Sequence, residues 1–328
     1  MTLRYTGLVL AVLIACGAVI VRAFDVGAGG SPGASSRPPV STRVAPPPPY
    51  ATAPADVRIH PRFRRAPRAA LVWDVDTGRV LWSRRARVRR PVASLAKMMT
   101  AIVVDERARW SDRVRIGPNA KAAPGSAVGL LPPRRSVRLR TLVYGLILPS
   151  GNDAAVALAE HVSGSVRAFV RTMNARGRQL GLRCTSFSSP DGYEDRGNTA
   201  CARDLALLTR EVLRRPRLAA VVRARYASFR SLLPHTAKVR GKKKTVWKPG
   251  TLHMASHNPL LRLGYPGTTG LKTGYTDAAG RCFVGTARRR GRHLGVVLLG
   301  SPDPGGQAQR LLNAAFGALS APGHTRRA

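Results

Sequence analysis

Pro91-Val92-Ala93-Ser94-Leu95-Ala96-Lys97-Met98-Met99-Thr100 is the stretch on which the reading of this chain turns. Inside it stands Ser94-Leu95-Ala96-Lys97, a Ser-x-x-Lys. If the stretch is helical, residues three apart share one face, and the Lys97 amine reaches the Ser94 hydroxyl. A serine is a poor nucleophile near neutral pH and needs an adjacent base to take its proton. A lysine can be that base only when neutral, and burial or a nearby positive charge lowers its pKa toward that state. Alone the tetrapeptide is weak evidence, because short motifs recur by chance on ordinary surface helices. The segments on either side of it decide its meaning.

On the N-terminal side, residues 69–74 and 80–83 read as two strands, with Asp76-Thr77-Gly78 as the turn between them. Residues 24–66 are rich in Gly, Ser, Ala, Pro and Arg and hold Pro46-Pro47-Pro48-Pro49. Such a composition buries too little apolar surface to fold, so it reads as a disordered tether, with the folded domain starting near Ala66. Residues 1–23 carry Arg4 and then an apolar run over 8–21. That run is short for a membrane span, which needs roughly 20 apolar residues, and fits the core of a signal peptide. Three endings are compatible with it: cleavage after Ala23, retention as a signal anchor, or lipidation at Cys16, since Leu13-Ile14-Ala15-Cys16 is similar to a lipobox. Against lipidation, residues 17–21 remain apolar. All three endings export the chain.

On the C-terminal side, the Ser94 helix is expected to run to about Arg107, followed by a short strand within 110–116. Apolar spacing predicts helices over 139–148, 153–162, 166–180 and 202–213. Residues 223–230 read as a strand and the basic stretch 240–248 as an exposed hairpin. Residues 281–288 and 293–300 are apolar strands joined by 289–292, and 307–319 is a closing helix before a short tail, 321–328. Strands thus lie at both ends with helices between them. That order predicts an α+β fold whose antiparallel sheet draws strands from both termini.

The net charge is +39, from 55 Lys+Arg against 16 Asp+Glu. Most of the excess is arginine scattered along the whole chain, whereas a nucleic-acid binder concentrates charge on one element or tail. No nucleic-acid-binding pattern is present, and no nucleic-acid partner is expected. The charge fits either a basic solvated surface or attraction to anionic cell-wall polymers. Of Cys16, Cys184, Cys201 and Cys282, none forms a CxxC. Cys184 and Cys201 bracket a polar loop and are the better pair for a disulfide, while Cys282 sits in a strand-like run and reads as a buried thiol. His253-x3-His257 has metal-ligand spacing but no third ligand nearby, so no metal and no cofactor is expected.

Two further motifs follow the first in order: Ser150-Gly151-Asn152 and Lys272-Thr273-Gly274. The ordered triplet resembles the penicillin-binding protein and serine β-lactamase superfamily. The flanks are similar to the low-molecular-mass D-alanyl-D-alanine carboxypeptidases, peptidase family S11. They are Leu148-Pro149-Ser150-Gly151-Asn152-Asp153-Ala154-Ala155, the stretch 169–174, Thr185-x-Phe187 running into Pro190-Asp191-Gly192, and the run 270–280. The resemblance covers residues 69–319 and implies a catalytic domain over 67–320. The implied fold is β-lactamase/penicillin-binding-protein-like, an antiparallel sheet flanked by helices with an all-helical lobe.

The resemblance implies that Ser94 is the nucleophile, Lys97 its base and Ser150 a proton relay. Asn152 would hold Lys97 and the substrate amide with its acceptor and donor ends. Lys272 would keep Lys97 neutral and attract the substrate carboxylate, Thr273 would hydrogen-bond it, and Gly274 would let the backbone approach the substrate. The backbone N–H groups of Ser94 and Tyr275 would form the oxyanion hole. The implied substrate is the peptidoglycan stem peptide, and β-lactams would acylate the same serine. Relatives often carry an arginine near the last strand–helix junction, yet 301–309 has none and Arg310 lies within the closing helix. Three other readings stand beside this one: a D,D-endopeptidase, a β-lactamase, and an inactive polyanion-binding envelope protein. Glu-x-x-Leu-Asn, which class A β-lactamases use for deacylation, does not occur.

Overall fold

The computed structural model describes residues 51–53, 57–193, 197–239 and 242–320. They belong to the second of two units, Ala45–Ala328. Residues 1–23, expected to be a signal peptide or anchor, residues 24–50 of the expected tether and the tail 321–328 lie outside the described residues.

The chain opens with β1 (Ala69–Asp74) and β2 (Val80–Arg84), then β3 (Arg90–Pro91), a single 3₁₀ turn (Ala93–Ala96) and α1 (Lys97–Arg107). Next come β4 (Arg113–Arg115), α2 (Pro118–Ala122), β5 (Ser136–Arg138), α3 (Leu139–Ile147), α4 (Asn152–Ser163) and α5 (Val166–Gln179). After β6 (Thr199–Ala200), α6 (Ala202–Leu213) and α7 (Pro216–Arg223), a long hairpin forms from β7 (Tyr226–Val239) and β8 (Lys242–Ala255). The chain closes with α8 (Pro259–Arg262), β9 (Thr268–Thr276), β10 (Gly280–Arg289), β11 (Arg292–Leu299) and α9 (Pro304–Ser320).

The main sheet is antiparallel, in the order β2-β1-β11-β10-β9, so its strands do come from both ends of the chain. Every residue of β1 is buried, because the sheet is covered on both faces. Leu71 and Trp73 face the helical core, while Ala70 and Val72 face a second core under α9. α1 is buried on all sides from Lys97 to Val104, as a helix in the middle of a lobe must be. The lobe is mainly helical rather than all-helical. Two short ribbons, β4–β5 and β3–β6, run through it and tie its loops together by backbone pairing.

Three boundaries differ from expectation. Ser94, Leu95 and Ala96 form a 3₁₀ turn rather than the start of an α-helix, and in such a turn residues three apart eclipse, which brings Lys97 over Ser94. The expected strand at 223–230 starts at Tyr226, Arg223 ending α7, and the basic stretch expected as a hairpin of its own is the start of its partner, the two arms having 14 residues each. The hairpin tolerates Pro234 and Pro249 because a two-stranded ribbon leaves one edge of each strand unpaired.

The tether is shorter than 24–66. Thr52 forms a parallel bridge with Val80, Ala53 N–H donates to Val80 O at 2.9 Å, and Ile59 N–H donates to Leu81 O at 3.3 Å. Ala53, Val57 and Ile59 are buried in the core under α9. Their few apolar residues suffice because they dock on a preformed sheet edge instead of building a core of their own. A disulfide joins Cys184 to Cys201, with Cα atoms 5.7 Å apart, and Cys282 is buried in β10.

Removing 51–65 should therefore cost stability. Val57 and Ile59 are each worth about 1.5–3 kcal/mol of burial. A chain begun at Ala66 should unfold in urea with at least about 3 kcal/mol less stability than one begun at Ala51. Equal unfolding free energies would refute the packing of this segment.

Candidate active site

The backbone entering the 3₁₀ turn is bent and clamped from two sides. Ala93 has a φ of 50°, a left-handed conformation that costs an alanine energy and needs surrounding structure to hold it. Gly192 supplies one side: at φ +77, a Cβ there would stand 2.0 Å from Ala93 O. Gly274 of β9 supplies the other, where a Cβ would stand 2.9 Å from Val92 O and 3.1 Å from Ser94 N. Gly274 thus lets β9 approach the Ser94 turn itself, a tighter requirement than the approach to substrate expected of it.

Lys97, fully buried, carries its Nζ 2.9 Å from Ser94 Oγ, 2.6 Å from Asn152 Oδ1 and 2.7 Å from Asp191 O. All three neighbours can accept. An ammonium donates to all three, whereas a neutral amine has two N–H bonds and one lone pair. Asn152 Oδ1 and Asp191 O cannot donate, so they take the two N–H bonds, and the lone pair of the neutral amine faces the Ser94 hydroxyl.

Ser150 closes the opposite wall. It too has left-handed backbone, φ 64°, in the turn that ends α3 and starts α4. Its Oγ accepts from Lys272 Nζ at 2.8 Å, and Lys272 also donates to Thr273 O at 2.9 Å. Asn152 Nδ2 donates to Pro124 O at 2.5 Å, so one of its donor hydrogens fixes the loop after α2 rather than awaiting a substrate amide. Asp153 holds the same loop, accepting from Val128 N and Gly129 N at 2.9 Å each. The three motifs therefore converge on one site built around two buried lysines.

The model of the D-alanyl-D-alanine carboxypeptidase family, peptidase S11, matches residues 58–303. The chain belongs to the S11 peptidase family. It is 30% identical over 257 residues to D-alanyl-D-alanine carboxypeptidase DacF of Bacillus subtilis, covering 76% of this chain and 62% of that relative. It is 34% identical over 254 residues to DacB2 of Mycobacterium tuberculosis, covering 75% and 81%. The chain thus spans less than two thirds of the first relative's length. Among solved structures, it resembles the Streptomyces K15 DD-transpeptidase, with a TM-score of 0.68, 28% identity, and coverage of 79% of this chain and all of that one. The D-alanyl-D-alanine carboxypeptidase of Mycobacterium tuberculosis H37Rv gives a TM-score of 0.67 at 30% identity, with 79% and 94% covered. The α+β sheet-and-lobe fold is the one these S11 relatives share.

In this S11 peptidase, burial is the main force on the lysines. It lowers the Lys97 ammonium to about 7, against the opposing pull of the Asp191 and Asp153 carboxylates. Burial also carries Lys272 well below the ordinary lysine range, and the Lys97 charge pushes it further. Desolvation thus takes the part the sequence assigned to the charge of Lys272.

Asp191 was not among the expected site residues. It works through its backbone carbonyl, which has no residue-type signature; only the Pro190-Asp191-Gly192 flank marks the place. Thr100 fixes that flank by donating to Pro190 O. Arg310 pairs with Asp303 at 3.3 Å, while Arg281 stands opposite Tyr275 in the β9–β10 register and donates to Pro302 O. His253 bonds Ser228 on the hairpin, and His257 lies near Lys272. Among the described residues, one cluster has metal-ligand geometry, Cys184, Cys201 and Asp204, and its sulfurs are joined in the disulfide.

The neutral form of Lys97 is the basic one, so acylation should quicken as pH rises through about 7 and then level off. Wherever Lys272 loses its charge, which burial moves well below the ordinary lysine range, acylation should slow. Second-order penicillin acylation rates between about pH 5 and 10 read both effects. A flat acid limb would remove Lys97 as the base.

Proposed function

We propose that the chain is a serine D,D-carboxypeptidase that removes the terminal D-alanine of peptidoglycan stem peptides through an acyl-enzyme on Ser94. The observation that supports this most is the Lys97 amine, 2.9 Å from Ser94 Oγ with its other two directions taken by fixed acceptors. Ser94 Oγ attacks the carbonyl carbon of the penultimate D-alanine while Lys97 Nζ takes the hydroxyl proton. The carbonyl oxygen becomes an oxyanion. It is received by the N–H of Tyr275 on β9 and by that of Ser94, which lies in the first turn of a helix, where N–H groups lack intrahelical acceptors. A donor so placed lowers the barrier by about 3–4 kcal/mol.

Ser150 accepts a hydrogen bond from Lys272, which leaves its own proton to give to the departing amine. The C–N bond breaks and D-alanine leaves. The proton that Lys97 took from Ser94 replaces the one Ser150 gave to the amine, which leaves Lys97 neutral again. A water that loses its proton to Lys97 then attacks the ester, that proton passes to Ser94 Oγ as the C–O bond breaks, and the shortened peptide is released. A β-lactam enters by the same attack, but its leaving amine stays tethered to the opened ring, so the acyl-enzyme persists.

The substrate carboxylate meets Lys272 and Thr273, and we assign the second cation to Arg281, across from Tyr275. The substrate places the enzyme outside the cytoplasm, which agrees with an export reading of residues 1–23. The cationic excess suits a surrounding of anionic wall polymers.

Incubation with a fluorescent penicillin should give one covalent adduct by intact mass, mapping to Ser94 and absent from Ser94→Ala. A D-Ala-D-Ala peptide should lose one D-alanine with the wild type alone. Folded protein with no adduct would sink the reading, and an adduct without D-alanine release would remove the carboxypeptidase step. Arg281→Gln should raise KM about tenfold with little change in kcat, as for one charged hydrogen bond to a carboxylate. An unchanged KM would clear Arg281 of that role.

A further inference from the structure

Arginine supplies nearly all of this chain's positive charge, with 47 Arg against 8 Lys. Two of the lysines are Lys97 and Lys272, where a titratable amine is used. Of the remaining six, five stand on the β7–β8 hairpin: Lys238, Lys242, Lys243, Lys244 and Lys248. No Asp or Glu occurs between Glu211 and Asp277. All five lysines are exposed, and none makes an ion pair among the described residues. The register sets Lys238 directly opposite Lys243. Like charges facing across a ribbon destabilise it.

The root of the hairpin is anchored in the catalytic lobe. Phe229 packs edge-on to Tyr144 of α3, with ring centroids 5.0 Å apart, and Leu252 and Met254 are buried in the helical core. From Tyr226 to Lys238 the strand rises about 40 Å. Lys238 and Lys242–Lys244 are thus held far from the root, and Lys248, opposite Leu233, about midway.

We propose that this hairpin docks a linear, phosphate-bearing polyanion. Three consecutive lysines put charge on both faces of the ribbon, more than protection of a free strand edge requires. A linear polyanion relieves the repulsion that the ribbon alone leaves uncompensated. A lysine is a compact, strongly hydrated point charge rather than a bidentate fork, so its phosphate contacts exchange readily and the arm can shift along a polymer. The order of residues disfavours a bilayer. An interfacial element leads with its aromatic face. Here Lys238 and Lys242–Lys244 lead, Trp247, paired with Pro234, lies four pairs behind Lys238–Lys243, about 13 Å back, and Lys248 lies one pair further. The proposal does not depend on the acyl-transfer reading.

The test uses the full chain and long-chain inorganic polyphosphate, with affinity measured as a function of salt. Five phosphate contacts should cost about 10²-fold in affinity between about 50 and 200 mM salt. K238Q/K242Q/K243Q/K244Q/K248Q should lose most of that salt dependence and bind at least about tenfold more weakly at the lower salt. R135Q/R138Q/R167Q/R171Q/R178Q removes the same charge from exposed positions on the lobe and should weaken binding less than about threefold. K238Q/K243Q keeps the test open if the larger variant misfolds: its Tm should rise as the facing repulsion goes, while its affinity falls. Equal weakening by the two five-fold variants would overturn the proposal by assigning the binding to charge of the whole body. So would binding to phosphatidylglycerol vesicles but not to polyphosphate, and so would aggregation of the Gln variant with affinity intact.

Discussion

The cleft is organised by the need to keep one lysine amine dry and aimed. A Lys97 exposed to water would stay protonated near neutral pH and could not be the base of the mechanism proposed above. Burying it inside α1 brings the ammonium to about 7, and that requires the helix to be covered on every side. α3, α4, α5 and α6 pack against α1, and the inner face of the sheet belongs to the same core. On the proposed mechanism, the helical lobe thus serves the chemistry as well as the fold. Aim is a separate matter. Asn152 Oδ1 and Asp191 O come from two different segments, so the lone pair points at Ser94 only while both segments hold their places.

That double dependence explains the strain nearby. Ala93 and Ser150 both adopt left-handed backbone, and each immediately precedes or forms part of a motif. Such conformations persist where the surroundings over-determine them. Gly192 and Gly274 press on Ala93 and Ser94 from opposite sides at distances no side chain could share. The Cys184–Cys201 disulfide closes the loop that carries Asp191 and Gly192, limiting how far that loop can drift from Lys97.

The sequence made legible whatever depends on residue type. Ser94, Lys97, Ser150, Asn152 and Lys272 could be picked out because nucleophile, base and charge need particular side chains, and all of them meet in the cleft. The strand and helix order followed from apolar periodicity and gave the sheet its strands from both ends. What stayed hidden acts through the backbone or through docking. The Asp191 and Pro124 carbonyls would look the same in any residue. Residues 51–65 lack the pattern of a core segment because they borrow the core beneath α9. The continuous 14-residue arms of the hairpin were broken in the sequence by Pro234 and Pro249, which only a ribbon with free edges admits.

Those borrowed residues also bear on how the sheet meets a substrate. A five-stranded open sheet has two edges, here β2 and β9, and each exposes backbone groups able to pair with another extended chain. At β2 the chain closes its own edge: Thr52 bridges Val80, and the backbone of Ala53 and Ile59 bonds Val80 and Leu81. Among the described residues no strand pairs with the outer side of β9, the strand that carries Lys272, Thr273 and Gly274. One edge is sealed and the other is left beside the nucleophile. On the function proposed above, an extended peptide would add to the sheet at β9, beside Ser94, so the arrangement of edges would favour that place before any side chain reads the peptide.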